Sequence, residues 1–201
     1  NTDKYREALQ ILEGIENLDD PTTEIYQKVA LARGMELYKN RSWGEALELF
    51  QKCSEKSVNR KYAAQAAYWK AETLIQMDKS DEALVAFKEF MDKPKSNEIE
   101  EFAYAYYGQG YIHYQRKDYA LGATYFNEFT SKVSSGRYVE AIVHDAHLRL
   151  GDCYLMERNL ESSVRAYAYV SGKKGRDADY ALYQSAIIYG LLERSEEKIT
   201  T

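Results

Sequence analysis

The side chains best suited to chemistry cluster at His144-Asp145-Ala146-His147, with Asp152 and Cys153 following one to two turns later. Two histidines three residues apart share one helix face, while Asp145 and Asp152, seven apart, share another. A metal centre needs three or four ligands converging on one point. Ligands split between faces, with no second cluster elsewhere, do not provide that, so no metal site is expected. The chain also lacks a Gly-rich phosphate loop, a nucleophile elbow and a paired-carboxylate motif. The expectation is a protein that is not an enzyme and takes no cofactor.

Tyrosine is the other residue in unusual supply, 19 in 201 positions. Tyr104, Tyr107, Tyr111 and Tyr114 step by 3, 4 and 3, which puts four phenols along one side of one helix. Tyrosine suits recognition because it offers a large rigid surface with a polar tip and little rotamer entropy to lose. The same spacing also suits rings packed in a seam between helices, and periodicity alone leaves both readings open.

The elements that must hold these residues follow from a long-range repeat. Ala8, Ala46, Ala83, Gly122 and Ser163 are small residues 38, 37, 39 and 41 positions apart. Four residues after each stands a larger one, Leu12, Phe50, Phe87, Phe126 and Tyr167, and seven after each Ile15, Cys53, Phe90, Phe129 and Val170. Offsets of four and seven mark one helix face, and a period near 40 marks a helical repeat array. Twelve residues before the small anchors lie Gly34, Ala71, Gly110 and Gly151. Glycine inside a helix costs about 1 kcal/mol relative to alanine, so its recurrence predicts close approach between two helices of a hairpin. Polar turns such as Lys39-Asn40-Arg41-Ser42, Asp78-Lys79-Ser80-Asp81 and Arg116-Lys117-Asp118 join them.

These residues carry a resemblance. Asp118-Tyr119-Ala120-Leu121-Gly122-Ala123-Thr124-Tyr125-Phe126 resembles the second helix of the tetratricopeptide repeat. Tyr106 to Tyr114 and Leu150-Gly151-Asp152-Cys153-Tyr154 are similar to its first helix. The spacing exceeds the family's 34 residues, and the excess falls before the first-helix anchors, so the first helices should be longer by about a turn. That elongated form resembles tetratricopeptide domains of bacterial envelope proteins such as BamD and CpoB; the resemblance weakly favours a periplasmic or outer-membrane-associated location and leaves a cytoplasmic one open.

The resemblance implies an all-α fold, an α-solenoid of about five helix hairpins forming a superhelix with a concave groove. The frame gives a second helix at 3–18, hairpins at about 22–57, 60–93, 97–133 and 137–171, and a partial hairpin at 176–201. The chain reads as one array cut at both ends from a longer protein. It opens on Asn1 in a second helix and closes after a first helix near Glu193, with Ser195 to Thr201 starting its partner.

The resemblance also implies a non-catalytic scaffold that binds a protein or peptide segment in the groove. The groove residues would be Tyr38, Tyr68, Glu72, Tyr104, Tyr107, Tyr111, Tyr114, Asp145, Asp152 and Tyr183, with Leu31, Met35, Ile75, Leu148, Leu155 and Tyr180 beside them. Aromatic groups with scattered carboxylates would suit an apolar segment with some positive charge. The Lys and Asn of the clamp that reads chaperone C-termini are replaced here by Leu31, Met35 and Tyr38. His113 and His147 fall on packing positions of the first helix. The alternatives are a permanent assembly subunit of an envelope complex and, less favoured, glycan binding.

The remaining composition sets limits. Formal charge is −5 with both signs interleaved, and no basic stripe aligns between repeats for nucleic acid. No apolar run approaches the roughly 20 residues of a membrane span. Pro21, Pro94, Gly136 and the Gly172 to Gly175 stretch should interrupt helices between hairpins. Cys53 and Cys153 lie in the first and fourth hairpins. A disulfide needs Cα atoms within about 7 Å, so both are expected to be buried thiols.

Overall fold

The computed structural model describes residues 2–134, 140–173 and 176–199. Gly136 and Gly175, and the terminal Asn1, Thr200 and Thr201, lie outside the described residues. Among the described residues the chain is helical throughout, with no strand. The helices are α1 (Thr2–Glu13), α2 (Asp20–Lys39), α3 (Trp43–Glu55), α4 (Arg60–Gln76), α5 (Ser80–Met91), α6 (Glu101–Gln115), α7 (Tyr119–Lys132), α8 (Glu140–Met156), α9 (Leu160–Ser171) and α10 (Arg176–Ile199). A short 3-10 turn, Ser96–Glu98, precedes α6. Two compact units divide the chain inside α6, one running to Ala105 and the other from Tyr106.

Within each unit the repeat face forms the core. In the first unit Ala46, Phe50 and Cys53 of α3, and Ala83, Phe87 and Phe90 of α5, are fully buried. In the second, Phe126 and Phe129 of α7, and Ser163, Tyr167 and Val170 of α9, take the same places. The glycines are seats for rings. A Cβ would lie 2.6 Å from the Phe50 ring at Gly34, 3.0 Å from Phe126 at Gly110 and 2.5 Å from Tyr167 at Gly151. The small anchor supports the same approach from alongside, since Ser163 Oγ donates to the Gly151 carbonyl at 2.8 Å. What covers each glycine is therefore the ring four residues past the small anchor.

The hairpin turns repeat as closely as the cores do. Arg41, Asp78, Lys117 and Arg158 all adopt left-handed φ of 58–62°. The residue after each sends its N–H back five positions, as in Ser42 to Leu37, Lys79 to Leu74, Asp118 to His113 and Asn159 to Tyr154. That bond satisfies a carbonyl otherwise orphaned at the helix end. Asp118 and Asn159 then cap the next helix by accepting from the backbone N–H of Leu121 and Ser162.

First helices α2, α4, α6 and α8 span 20, 17, 15 and 17 residues, against 13, 12, 14 and 12 for second helices α3, α5, α7 and α9. The first helix is thus the longer member of each hairpin, but α6 only by one residue, because the segment before it forms a loop and the 3-10 turn. Three boundaries differ from expectation. Pro21 opens α2 instead of interrupting a helix, since its missing N–H costs nothing in the first turn. α1 ends at Glu13, where Gly14 closes on Gln10 and Ile11, and not near residue 18. α10 runs unbroken to Ile199, so Ser195 begins no new helix. The stretch from Glu193 to Lys198 holds no Gly or Pro to turn it.

Candidate functional site

In the first unit the expected surface residues are drawn into an aromatic cluster. Tyr38 packs edge-on against Trp43 and Trp69 at 5.0 and 5.2 Å, and Tyr68 meets Trp69, Phe87 and Phe90. Tyr68 is only 7% exposed and belongs to the core, contrary to its expected place on a binding surface. Its phenol hydrogen-bonds Glu72, whose carboxyl burial pushes up to about 7, with the Tyr68 bond opposing. Burial, with help from Glu72, pushes the Tyr38 phenol up to about 12. Leu31 is buried as well. Trp69, which ties the cluster together, stood outside the sequence reading because no spacing rule marked it. Tyr104 is half-buried, and burial followed by Glu100 and Glu101 raises its pKa.

In the second unit the stripe and the acidic residues come together. Tyr107 donates to Asp145 Oδ2 at 2.7 Å, and Tyr114 donates to Asp152 Oδ2 at 3.1 Å. Both bonds join α6 to α8, so the tyrosines line the seam between adjacent first helices. Their rings nonetheless stay half-buried. Tyr107 also packs on Phe126 and Phe129 at 5.9 and 5.3 Å. Tyr111 lies between its neighbours, 5.9 Å from Tyr107 and 6.2 Å from Tyr114. Tyr106, on the other side of α6, is half-buried beside Tyr125, with Lys132 over its ring at 5.5 Å. Stripe and seam therefore occupy the same rings.

Asp152 is the hub of this unit. Its Oδ1 accepts from Tyr167 at 2.7 Å and Tyr180 at 2.8 Å, and its Oδ2 accepts from Tyr114 and from Arg149 at 3.1 Å. Four donors on one buried carboxylate saturate it. Arg149 also pairs with Asp145 at 3.2 Å and lies over the Tyr114 ring at 5.3 Å. Burial works against its charge, but Asp145, Tyr114 and Asp152 together more than offset this and its pKa rises. Burial, then the Asp152 bond, pushes the Tyr180 phenol up to about 12. Sequence reasoning missed Tyr167 and Arg149 as members, because the core register claimed the first and nothing marked the second.

The remaining candidates separate from this hub. His147 stacks on Tyr169 at 3.9 Å, and His144 meets the same ring edge-on. Burial, with His144 nearby, pushes His147 down to about 4. Cys153 is fully buried, and burial pushes its thiol up to about 12, as it does for Cys53. Among the described residues no three His, Cys, Asp or Glu side chains gather into a set that could hold a metal. Among them, too, no helix is long and apolar enough to cross a membrane. Tyr183 is 65% exposed on α10 and apart from the hub.

No curated protein matches the sequence. Among solved structures, a point mutant of MamA is similar over 87% of this chain and 92% of its own, with TM-score 0.62 and 12% identity. BtubC (BKLC) from P. vanneervenii is similar over 92% of this chain and 72% of its own, with TM-score 0.61 and 17% identity. These likenesses agree with an all-α array of helix hairpins of the α-solenoid class. Residues 73–137, roughly a third of the chain, match the tetratricopeptide repeat family model.

Proposed function

We propose that the chain is a non-catalytic protein-interaction scaffold and that the α6–α8 face of the second unit takes a protein or peptide segment. The observation that supports this reading most is the tethering of the tyrosines. Asp145 and Asp152 fix the Tyr107 and Tyr114 phenols, while these rings and that of Tyr111 keep part of their surface in solvent. Rings held in place before binding lose little further freedom on contact, which favours affinity.

The chemistry of the segment is narrower than the sequence implied. Both carboxylates are already matched by Arg149 and by phenols, so the face offers little unmet negative charge. An apolar or aromatic segment fits it better than a cationic one. Glu72 and Tyr68 are spent within the first unit's core and play no part in this reading.

The test places a photo-crosslinking phenylalanine analogue at Tyr111 and, separately, at exposed Leu121 of α7 in the full chain expressed in cells. The proposal expects a discrete protein partner joined from position 111 and absent from position 121. Equal capture from both positions would count against the α6–α8 face.

A further inference from the structure

One place beside the hairpins is filled by a ring in each hairpin of the second unit and left open in the first unit. It is defined by the residue four before the first-helix anchor and those three and six after the second-helix anchor. In the hairpin of α6 and α7 the rings of Tyr106 and Tyr125 meet there, 6.4 Å apart. In that of α8 and α9, His147 and Tyr169 stack at 3.9 Å. In the hairpin of α2 and α3, Leu49 takes the place and packs into the core. In the hairpin of α4 and α5 the same positions are Ala67, Ala86 and Glu89. The two alanines bring no ring, and the Glu89 carboxylate pairs with Lys70 of α4 at 3.2 Å. A cavity of about 260 Å³ remains, with Ala67 and Ala86 in its lining. A second lobe of about 300 Å³ shares Ala86 and Glu89 with it and runs along Leu47, Leu74 and Val85.

The lysine ten residues after the second-helix anchor indicates what fits there. Lys132 lies over the Tyr106 ring at 5.5 Å, and Lys173 over the Tyr169 ring at 5.9 Å. An ammonium in that position is attracted by the negative face of the ring. Lys93 holds the same position after α5 and lines the cavity. With no ring to cover, its ammonium donates to the Ser54 carbonyl at 3.0 Å. The cation of the pair is present and its ring is missing. The two lobes together fall in the size range of small-ligand pockets. They are walled by α3, α4 and α5, which pack on one another in mid-array, so a hairpin added at either end would leave them open.

We propose that the cavity between α3 and α5 is a binding site for one planar, electron-rich aromatic group of the phenol class, seated against Ala67 and Ala86 with its face to Lys93. The site belongs to the first unit and does not rest on the function proposed for the α6–α8 face. A free phenol and a tyrosine side chain carry the same chemistry, and the test separates the two sources. The probes are p-cresol, its saturated counterpart 4-methylcyclohexanol, and N-acetyl-tyrosine amide. Each is titrated into the full chain. Binding is read from the methyl NMR signals of Ala67 and Ala86, which the ring current of a seated ring would shift.

The expected result is a saturable shift of both methyl signals with p-cresol. Affinity should be about threefold or more weaker for 4-methylcyclohexanol, and p-cresol should lose about threefold or more in Lys93→Met. Ala86→Tyr rebuilds the ring of Tyr125 inside the cavity and should abolish the p-cresol shift at Ala67 without lowering the melting temperature. Lys93→Met and the saturated probe keep the test decisive should Ala86→Tyr fold poorly. Tighter binding of N-acetyl-tyrosine amide than of p-cresol would give the ring's source as a protein segment, and the reverse order a free phenol. No shift at either methyl, equal affinity for 4-methylcyclohexanol, unchanged affinity in Lys93→Met, or p-cresol binding retained by Ala86→Tyr would each overturn the proposal.

Discussion

At the scale of single residues, one helix position carries opposite consequences in different repeats. Gly151→Ala forces a Cβ to within 2.5 Å of the Tyr167 ring and should cost about 1–3 kcal/mol of overpacking. Gly190→Ala meets nothing and should gain about 1 kcal/mol of helix propensity. Thermal melts of the two variants should move in opposite directions, and parallel shifts would refute the ring-seat description. Two half-buried titratable groups also respond oppositely to acid. Glu72, raised from 4.5 to about 7, contributes stability that is full below pH 4.5 and lost as pH rises through 7. His147, lowered from 6.5 to about 4, contributes stability that is present above 6.5 and lost as pH falls towards 4. Relative to the parent, Glu72→Gln should therefore gain in melting temperature from pH 4.5 to 7, and His147→Phe should gain from pH 6.5 to 4. Variants that track the parent across those ranges would show that neither group is held as the structure has it. The glycines were legible in the sequence because backbone contact leaves a spacing. The Asp152 hub was not, because its donors come from α6, α8, α9 and α10 and obey no single period.

The helices themselves were largely legible, since small and large residues at offsets of four and seven define a buried face whatever the loops do. Their ends were less so. Four turns use a left-handed Arg, Asp, Lys or Arg where glycine would be free of strain, and no glycine marks those turns in the sequence. A non-glycine residue in that conformation costs on the order of 1 kcal/mol. Lys117→Gly and Arg158→Gly should each raise stability by up to about 1 kcal/mol, readable as a higher denaturation midpoint with unchanged slope. A fall in midpoint for both would mean that the side chains contribute more than the backbone loses. Gln27 makes a different kind of link. Its amide donates to the carbonyls of Lys56 and Asn59 at 3.1 Å, and its oxygen accepts from the Asn59 N–H at 2.8 Å, so it ties α2 to the loop between α3 and α4. Gln27→Leu should cost about 1–3 kcal/mol by leaving that loop's buried groups unpaired. Gln27 fell outside the apolar frame and was invisible to it.

At the scale of the molecule, the repeat period conveyed the hairpin architecture, whereas the use of its surfaces depends on pairings across repeats. Tyr107 with Asp145 and Tyr114 with Asp152 are both 38 residues apart, one repeat length. The spacing was visible, but a bond between neighbouring first helices was not, because sequence periodicity places residues on faces without saying which faces touch. Tyr68 shows the same limit, as it shares the stripe position of Tyr107 yet is buried by Trp69 and Phe90. The claim that the second unit's aromatic face binds a protein is tested most directly at Tyr111. Its ring lies against those of Tyr107 and Tyr114 and stays partly exposed. The measurement is the melting temperature of Tyr111→Ala and its affinity for the partner captured at that position, beside Phe126→Ala as a core control. The account predicts that Tyr111→Ala loses about 2 kcal/mol or more of binding with a melting temperature close to the parent's, while Phe126→Ala loses about 3–5 kcal/mol of stability. A Tyr111→Ala protein that binds as well as the parent, or melts as low as Phe126→Ala, would contradict it.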